Sequence, residues 1–496
     1  VSPQQAVAAV VVLAAGQGTR MRSATPKVLH EIGGRSMLGH VLAAAAPLGA
    51  AETLVVVGAG REAVADHLAA VAPGARPVVQ DEQRGSGHAA AVALAAVPDL
   101  AGPVLVVNGD APLLREQTVT ALVEAHRAAG AALTVLTARV EDPTGLGRIV
   151  RDGSGAVTGI VEERDATPEQ RAITEVNAGV YVGDAAAFRG ALARIGQDND
   201  QGEVYLTDVV GLLVGDGETV AGAPAEDPDD VLGCNDRREL AARRRTLNDR
   251  VLDELMRAGV TVVDPATTWV DVTATVAADA LLEPGVQLRG TTSVAAGAVV
   301  GPDSTLVDTT VGEGASVVRS HVLGAVVGPQ AVVGPFSYLR PGTDLARGAK
   351  VGAFVETKNA RVGEGSKVPH LSYVGDATLG RGTNVGAATV FVNYDGMAKH
   401  HTTVGDHVRI GSDTMLVAPV TVGDGAYTAA GSVITQDVPP GAMGVARAAQ
   451  RNVAGWVRRR RPGSAAARAA EAATGPDVGA QADDAGGDSP NGHHDQ

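Results

Sequence analysis

The sequence predicts two architectures in tandem, an α/β domain on a mostly parallel sheet followed by a parallel β-solenoid. Three observations predict this. Through residues 1–235, apolar β-branched runs alternate with Ala-rich stretches. An aliphatic residue then recurs every six positions through most of residues 276–422. The composition is skewed as well. Gly accounts for 63 of 496 residues, nearly twice the usual share of about 7%. Aromatics are only 4 Phe, 6 Tyr and 2 Trp, so the core must be built from Val, Ala, Leu and Ile.

In the first region the runs 7–13, 54–57, 104–107 and 133–136 read as strands, and 37–46 and 87–96 as helices. Strands that alternate with helices argue for a parallel sheet covered on both faces, with ligands beyond the strands' carboxyl ends. Residues 236–259 read as one helix, rich in Arg, Leu, Glu and Ala, with Gly259 as its stop. It is also the natural linker.

The hexads then begin. Val276, Leu282, Leu288, Val294 and Val300 form one run, and Val327, Val333, Leu339, Leu345 and Val351 another. Val362, Val368 and Val374 follow, then Leu379 and Val385, then Val404, Ile410, Leu416 and Val422. Gly often comes next, and a small residue sits four places on, as at Ser304, Ala331, Ser337, Thr389 and Thr414. No helix or ordinary strand has this period. It suits short flat strands whose aliphatic side chains stack inward coil on coil, with Gly and small residues at the corners. The gap 392–402 should be a loop expelled from the coil. The domain expectation is therefore 1–235, a linker helix 236–259, a solenoid 260–457 and a tail 458–496. The tail lacks large apolar residues beyond position 463 and should be disordered, with Arg458–Arg461 solvated.

Charge and cysteine content narrow the function. The net charge of −15 disfavours nucleic-acid binding. One Cys, Cys234, excludes a disulfide framework and fits a reducing compartment. No run of about 18 apolar residues occurs, so no membrane helix is expected. The polar stretch 1–5 lacks the basic start of a secretory signal. A cytoplasmic location is the expectation.

Leu13-Ala14-Ala15-Gly16-Gln17-Gly18-Thr19-Arg20-Met21 directly follows the first strand. A Gly-rich turn there leaves backbone N–H groups free to meet phosphate, although a plain tight turn would read the same way. It is neither a dinucleotide fingerprint nor a P-loop. Asp110 stands at a strand's carboxyl end, where a site in such a sheet belongs. His370 falls on a turn where the hexads otherwise hold small residues, and a lone His is commonly structural. The His400-His401 pair is adjacent in sequence and reads as solvated loop rather than a metal site.

Taken together, LAAGxGTRM with Pro26-Lys27 resembles the signature of sugar-nucleotide pyrophosphorylases. Further segments match in order: Gln80 with 83–89, Asn108-Gly109-Asp110, the stretches 142–149, 159–163, 175–179 and 201–208, and Asn235. Joined to a hexapeptide solenoid, the set resembles the bifunctional uridyltransferase/acetyltransferase family of bacterial UDP-N-acetylglucosamine synthesis, from about Val7 to Trp456. The resemblance implies a Rossmann-like nucleotidyltransferase domain and a left-handed parallel β-helix. It implies acetylation of glucosamine-1-phosphate by acetyl-CoA, then transfer of UMP from UTP to N-acetylglucosamine-1-phosphate, with pyrophosphate released. The product feeds cell-wall synthesis. A homotrimer is implied, with no nucleic-acid or membrane partner.

By the same resemblance, Asp110 and Asn235 hold Mg²⁺, with Asp236 beside Asn235 leaving open which of the two ligates. Lys27 and Arg20 would be catalytic, Lys27 bridging the sugar phosphate and the UTP phosphates and Arg20 clamping phosphates beside Gly16, while Leu13, Ala14 and Ala15 would contact substrate. Gln80, Gly85 and Ser86 would face uracil, and Gly147, Glu162 and Asn177 would hold the sugar, while Asn108 and Gly109, on the metal-binding strand end with Asp110, would contact substrate. In the solenoid, His370 would be the general base, since the substrate amine must lose a proton before it attacks a thioester. Arg340 and Lys358 would bind the sugar phosphate, and Tyr373 and Asn384 would place the sugar. Ala387, Asn393, Tyr394, Ser412, Ala430 and Arg447 would contact acetyl-CoA. Ser86, Leu146 and Asp236 depart from the family's usual residues, as does the segment around Arg447. Two rivals remain at this level. One is a monofunctional sugar-1-phosphate nucleotidyltransferase with a structural or regulatory solenoid, and the other is a non-enzymatic scaffold.

Overall fold

The computed structural model describes residues 7–197, 199 and 202–474. They fall into two units, Val1–Val445 and Ala446–Gln496. The first opens on a sheet whose strands run, edge to edge, Val220–Pro224, Leu133–Arg139, Glu175–Asp184, Pro103–Asn108, Ala9–Leu13, Glu52–Val57 and Arg76–Val79. A further pair, Arg148–Arg151 and Val157–Val161, joins Glu175–Asp184. The Val-rich runs form its central strands because both faces are covered, and Val10, Val11, Val55, Val56, Val106 and Val107 are all buried.

Most pairings are parallel, but Glu175–Asp184 runs antiparallel to both neighbours. This reversal positions the site. It brings the start of that strand, with Asn177, to the edge where Pro103–Asn108 ends. The close approach there is what Gly179 allows. At φ +69, a Cβ on it would lie 2.2 Å from the Asn108 amide.

A 21-residue helix, Arg237–Arg257, follows. Asp236 caps it, accepting from the N–H groups of Arg238 (2.8 Å) and Glu239 (2.9 Å). The helix is held from two sides. Toward the sheet domain, Arg237 donates to the Met21 carbonyl, Arg244 to that of Glu31, and Arg250 to that of Leu113. Arg250 also pairs with Asp227 (2.7 Å) and with the fully buried Asp230 (2.9 Å). Toward the solenoid, the buried Asn248 bridges the Thr268 carbonyl and the Val270 N–H, and Leu252 joins the solenoid core.

The solenoid stacks short parallel strands on three faces, one coil placing Leu281–Leu282, Gln287–Arg289 and Ser293–Val294 in turn. The hexad aliphatics form one continuous core, with Val276 packed at its end. The small residues four places on turn inward too, and their hydroxyls close the corners. Thr389 and Thr414 donate to the carbonyls of Gly386 and Gly411 at 2.8 and 2.7 Å. Gly334 shows why corners need glycine, since at φ +101 a Cβ would stand 2.0 Å from the Val318 carbonyl oxygen.

Glycine does not hold every such position. Arg319, Phe336, Phe354 and Leu371 also adopt positive φ, at +41°, +59°, +57° and +50°. Hydrogen bonds between coils hold them, as from Phe336 N–H to Arg319 O (2.8 Å) and Leu371 N–H to Ala353 O (2.9 Å). Between the strands Val390–Val392 and Thr402–Val404 the chain leaves the coil, and Tyr394 bridges to Lys399.

The second unit corrects one expectation. Helices occupy Trp456–Arg460 and Ala465–Thr474, where 458–474 was expected to be disordered. Ala has the highest helix propensity, and an Ala-rich segment forms a helix without a large apolar side chain. The remainder of the expected tail, 475–496, lies outside the described residues. Among the described residues no helix is long and apolar enough to cross a membrane.

Candidate functional site

A cleft of about 630 Å³ opens at the carboxyl edge of the sheet. Leu13, Ala14, Ala15, Gly16, Lys27, Gln80, Gly85, Ser86, Asn108 and Asp110 line it, as the sequence predicts, together with Glu203. The turn after the first strand folds back over Lys27. Gly18, at φ +60, lies where a Cβ would come within 2.5 Å of the Lys27 Cβ. This steers the Lys27 ammonium to the Asp110 carboxylate and to Asn235 Oδ1 (2.8 Å). The arrangement is tied from behind. The Cys234 N–H donates to the Asp110 carbonyl (3.0 Å), and the Asn235 N–H to Glu239 Oε2 (2.7 Å). Asp236 is engaged in capping the helix, so Asn235 is the member of that pair whose side chain meets the Lys27 ammonium that Asp110 also holds. Arg20 is exposed on the 3₁₀ turn Thr19–Met21 and does not line the cleft.

At one end Gln80 is buried, donating from Nε2 to the Gly85 carbonyl (3.2 Å) and lying 3.0 Å from His88 Nδ1. Ser86 Oγ accepts from the Leu206 N–H. At the other end the Asn177 N–H bonds to the Gly147 carbonyl (2.8 Å), and a Cβ on Gly147 would lie 3.4 Å from the Glu162 carboxylate. Glu162 accepts from the Thr207 hydroxyl. Burial, with Asp165 and Asp208 nearby, pushes its carboxyl above the ordinary range. These three residues form a cluster outside the cavity lining, joined to it through Asn108 and Gly179.

The solenoid residues assemble on neighbouring coils. His370 is exposed at the end of the strand Lys367–His370. On adjacent coils Glu356 pairs with Tyr373 and Lys358 with Gly375. Arg340 pairs with Glu356 at 2.9 Å. Asn393 is buried and lies 3.3 Å from the Tyr373 hydroxyl. The Asp413 N–H donates to the Ala387 carbonyl and the Gly431 N–H to that of Ser412, so Ala387, Ser412 and Ala430 follow one another up one corner. Asn384 sits on the strand Asn384–Val385. Tyr394 is exposed on the expelled loop. Arg447 lies in the second unit.

Sequence reasoning missed Lys399 and Asp376. Lys399, from the expelled loop, lies against Lys358, and this second ammonium is the largest influence holding the Lys358 ammonium below its usual range. A signal was available. Only five of the 41 basic residues are Lys, and Lys27, Lys358 and Lys399 all fall at these two places. The two loop histidines have separate partners, His400 with Asp395 (2.6 Å) and His401 with the Thr378 hydroxyl (3.0 Å). Among the described residues no group of three His, Cys, Asp or Glu is placed to hold a metal ion. Mg²⁺ needs less, because it keeps several waters and takes one or two protein oxygens plus substrate phosphates. The Asp110 and Asn235 oxygens, already converging on one cation, fit that requirement.

The fold and these two places define a nucleotidyltransferase domain joined to a hexapeptide-repeat transferase. Residues 10–200 match the MobA-like NTP transferase domain, and residues 401–436 the bacterial transferase hexapeptide of six repeats. The coil is accordingly a left-handed β-helix. The chain is 60% identical to the bifunctional protein GlmU of Streptomyces avermitilis, over 94% of this chain and 97% of that protein. It is 56% identical to that of Mycolicibacterium vanbaalenii, over 93% and 94%, and 54% identical to that of Corynebacterium glutamicum strain ATCC 13032, over 94% and 97%. The chain belongs to the bifunctional GlmU family. It is an acetyltransferase and a uridyltransferase of UDP-N-acetylglucosamine synthesis.

Proposed function

We propose that the cleft at Lys27 and Asp110 is the uridyltransferase site and that the coils around His370 are the acetyltransferase site. The observation that carries the first is the convergence of Lys27, Asp110 and Asn235 at the end of the sheet. Asp110 and Asn235 would hold Mg²⁺, which supplies charge neutralisation for converging phosphates. Lys27 bridges the sugar phosphate and the UTP phosphates, the backbone at Gly16 clamps the outer ones, and Arg20 reaches them from its exposed place outside the cleft lining. Gln80, Gly85 and Ser86 read the uracil. Gly147, Glu162 and Asn177 hold the N-acetylglucosamine, with Glu162 accepting from hydroxyls. Catalysis is then positioning and electrostatics, with a sugar-phosphate oxygen attacking the α-phosphate as pyrophosphate leaves.

In the solenoid, Arg340, Lys358 and Lys399 take the phosphate of glucosamine-1-phosphate, and Tyr373 and Asn384 orient the sugar. His370 removes a proton from the amine, which attacks the thioester of acetyl-CoA, and CoA leaves as the thiol. Ala387, Asn393, Tyr394, Ser412 and Ala430 seat the donor. A homotrimer is supported by a ladder of exposed apolar side chains at one corner of successive coils. Phe336 and Phe354 are 53% and 60% exposed with ring centroids 5.3 Å apart, and Leu371, beside His370, is 60% exposed. Other copies of the chain would cover that ladder and complete the site. The enzyme works in the cytoplasm, where its substrates and a reducing milieu suit a single buried thiol.

One experiment tests the scheme. The protein is incubated with glucosamine-1-phosphate, acetyl-CoA, UTP and Mg²⁺, and products are read by mass. UDP-N-acetylglucosamine and free CoA are expected. UDP-sugar formed only when N-acetylglucosamine-1-phosphate is supplied would overturn the acetyltransferase site. Failure to release pyrophosphate even then would overturn the uridyltransferase site.

A further inference from the structure

Behind the solenoid site, Asn359, Asp376 and Asn393 stand in register on three successive coils. Asp376 is 9% exposed, and each carboxylate oxygen is taken by a side-chain amide. Oδ1 accepts from Asn359 Nδ2 at 2.8 Å and Oδ2 from Asn393 Nδ2. The backbone is shaped for this, with Asn359 and Asp376 at φ +45° and +47°. A Cβ on Gly375 would lie 2.3 Å from the Tyr373 hydroxyl and 2.7 Å from the Asn393 amide nitrogen, so the chain is bare where those groups meet. Burial pushes the Asp376 carboxyl up, but the two amide bonds and the ammonium groups of Lys358 and Lys399 outweigh it and hold it below the usual carboxylate range. It is charged at neutral pH.

A carboxylate can only accept hydrogen bonds. It therefore fixes which way the Asn393 amide faces, with its NH₂ turned to Asp376 and its carbonyl oxygen turned away. We propose that Asp376 is a positioning residue for the acetyl donor, holding the Asn393 amide with its oxygen presented to acetyl-CoA. This rests on the assignment of Asn393 to the donor site.

The test is Asp376→Asn, assayed by CoA release with each substrate varied in turn. A carboxamide keeps the shape but sets its own NH₂ against one of the two amides. The KM for acetyl-CoA should rise roughly ten-fold, the scale of a hydrogen bond to a charged group. The KM for glucosamine-1-phosphate should hold or fall, because a negative charge beside the phosphate-binding lysines is gone. Uridyl transfer should be unchanged. In an Asn393→Ala background, Asp376→Asn should add nothing to the acetyl-CoA effect. A carboxylate that merely braces the coils predicts that both KM values rise together and that the two substitutions add, and either result overturns the proposal. If Asp376→Asn does not fold, Asn359→Ala carries the test. It leaves the carboxylate but removes the bond to Oδ1 that keeps Oδ2 facing Asn393, so the acetyl-CoA KM should rise, and a KM equal to that of the unmodified protein would overturn the proposal. If the acetyl-transfer reading itself fails, the unmodified protein releases no CoA, which is a different outcome from two KM values moving in step.

Discussion

Replacing His370 by Ala separates the chemistry of the solenoid from its stability. The ring is exposed, and among the described residues it makes no side-chain hydrogen bond. What holds this position is its carbonyl, which accepts from the Ser372 hydroxyl at 2.7 Å, a contact that Ala retains. Surface substitutions of this kind change stability by about 0.5 kcal/mol or less. Removing a positioned general base costs roughly 10²–10⁴-fold in rate, or about 3–5 kcal/mol of activation free energy. The two effects differ by a factor of at least five, so one variant distinguishes them. Acetyl transfer, read as CoA thiol release, should fall by that factor while the melting temperature and elution volume stay put. Uridyl transfer from supplied N-acetylglucosamine-1-phosphate should be untouched. Raising the pH should recover part of the lost rate, because more of the amine is then already free. An assembled variant that acetylates at the normal rate would leave the solenoid without its proposed base and refute the mechanism.

Asp110→Ala removes the carboxylate that Lys27 and Asn235 converge with, and uridyl transfer should fall by about 3 kcal/mol or more in activation free energy, with acetyl transfer intact. Pyrophosphate release at the normal rate would contradict this. His40 is buried on the helix Met37–Ala45, its Nε2 2.9 Å from the Ile32 carbonyl, and burial lowers its pKa to about 4. The unfolded chain takes up that proton near pH 6.5, so the contribution is present above that pH and is lost as pH falls toward 4. It amounts to about 3 kcal/mol. Urea midpoints should drop over that window, and His40→Gln should flatten the dependence. An unchanged slope would rule out His40 as the cause. Truncation after Pro462 removes a helix whose one buried side chain is Ala467, so the melting temperature should barely move.

The solenoid was legible because a period of six has no competing explanation and its aliphatic positions all point one way. Val327, Val333 and Leu339 fall into the core as a reader of the pattern would place them. The cleft was legible because its residues sit in short runs at strand ends, where local sequence carries the geometry. The reversal of Glu175–Asp184 was not, since an apolar strand looks the same whichever way it pairs. The helix Ala465–Thr474 escaped because its apolar face is built of Ala alone, with no large side chain to mark it. Asp376 and Lys399 were hidden for a different reason. Their importance lies in contacts across coils and across an expelled loop, between residues 17 apart for Asp376 and Asn393, and no hexad pattern marks them.

The helix Arg237–Arg257 has a consequence for anyone exchanging these modules between proteins. Asn235 lies one residue before the helix cap, its N–H held by Glu239 in the helix's first turn. Farther along, Arg250 grips the Leu113 carbonyl just past Asp110. The helix looks like a connector in sequence, yet it backs the cleft at Lys27 and Asp110. A cassette cut before Asp236 would carry every motif of the nucleotidyl site and lack the scaffold that keeps two of its oxygens together. The portable piece ends after Gly259, and a graft of the solenoid alone must supply new partners for the Thr268 carbonyl and the Val270 N–H that Asn248 leaves behind.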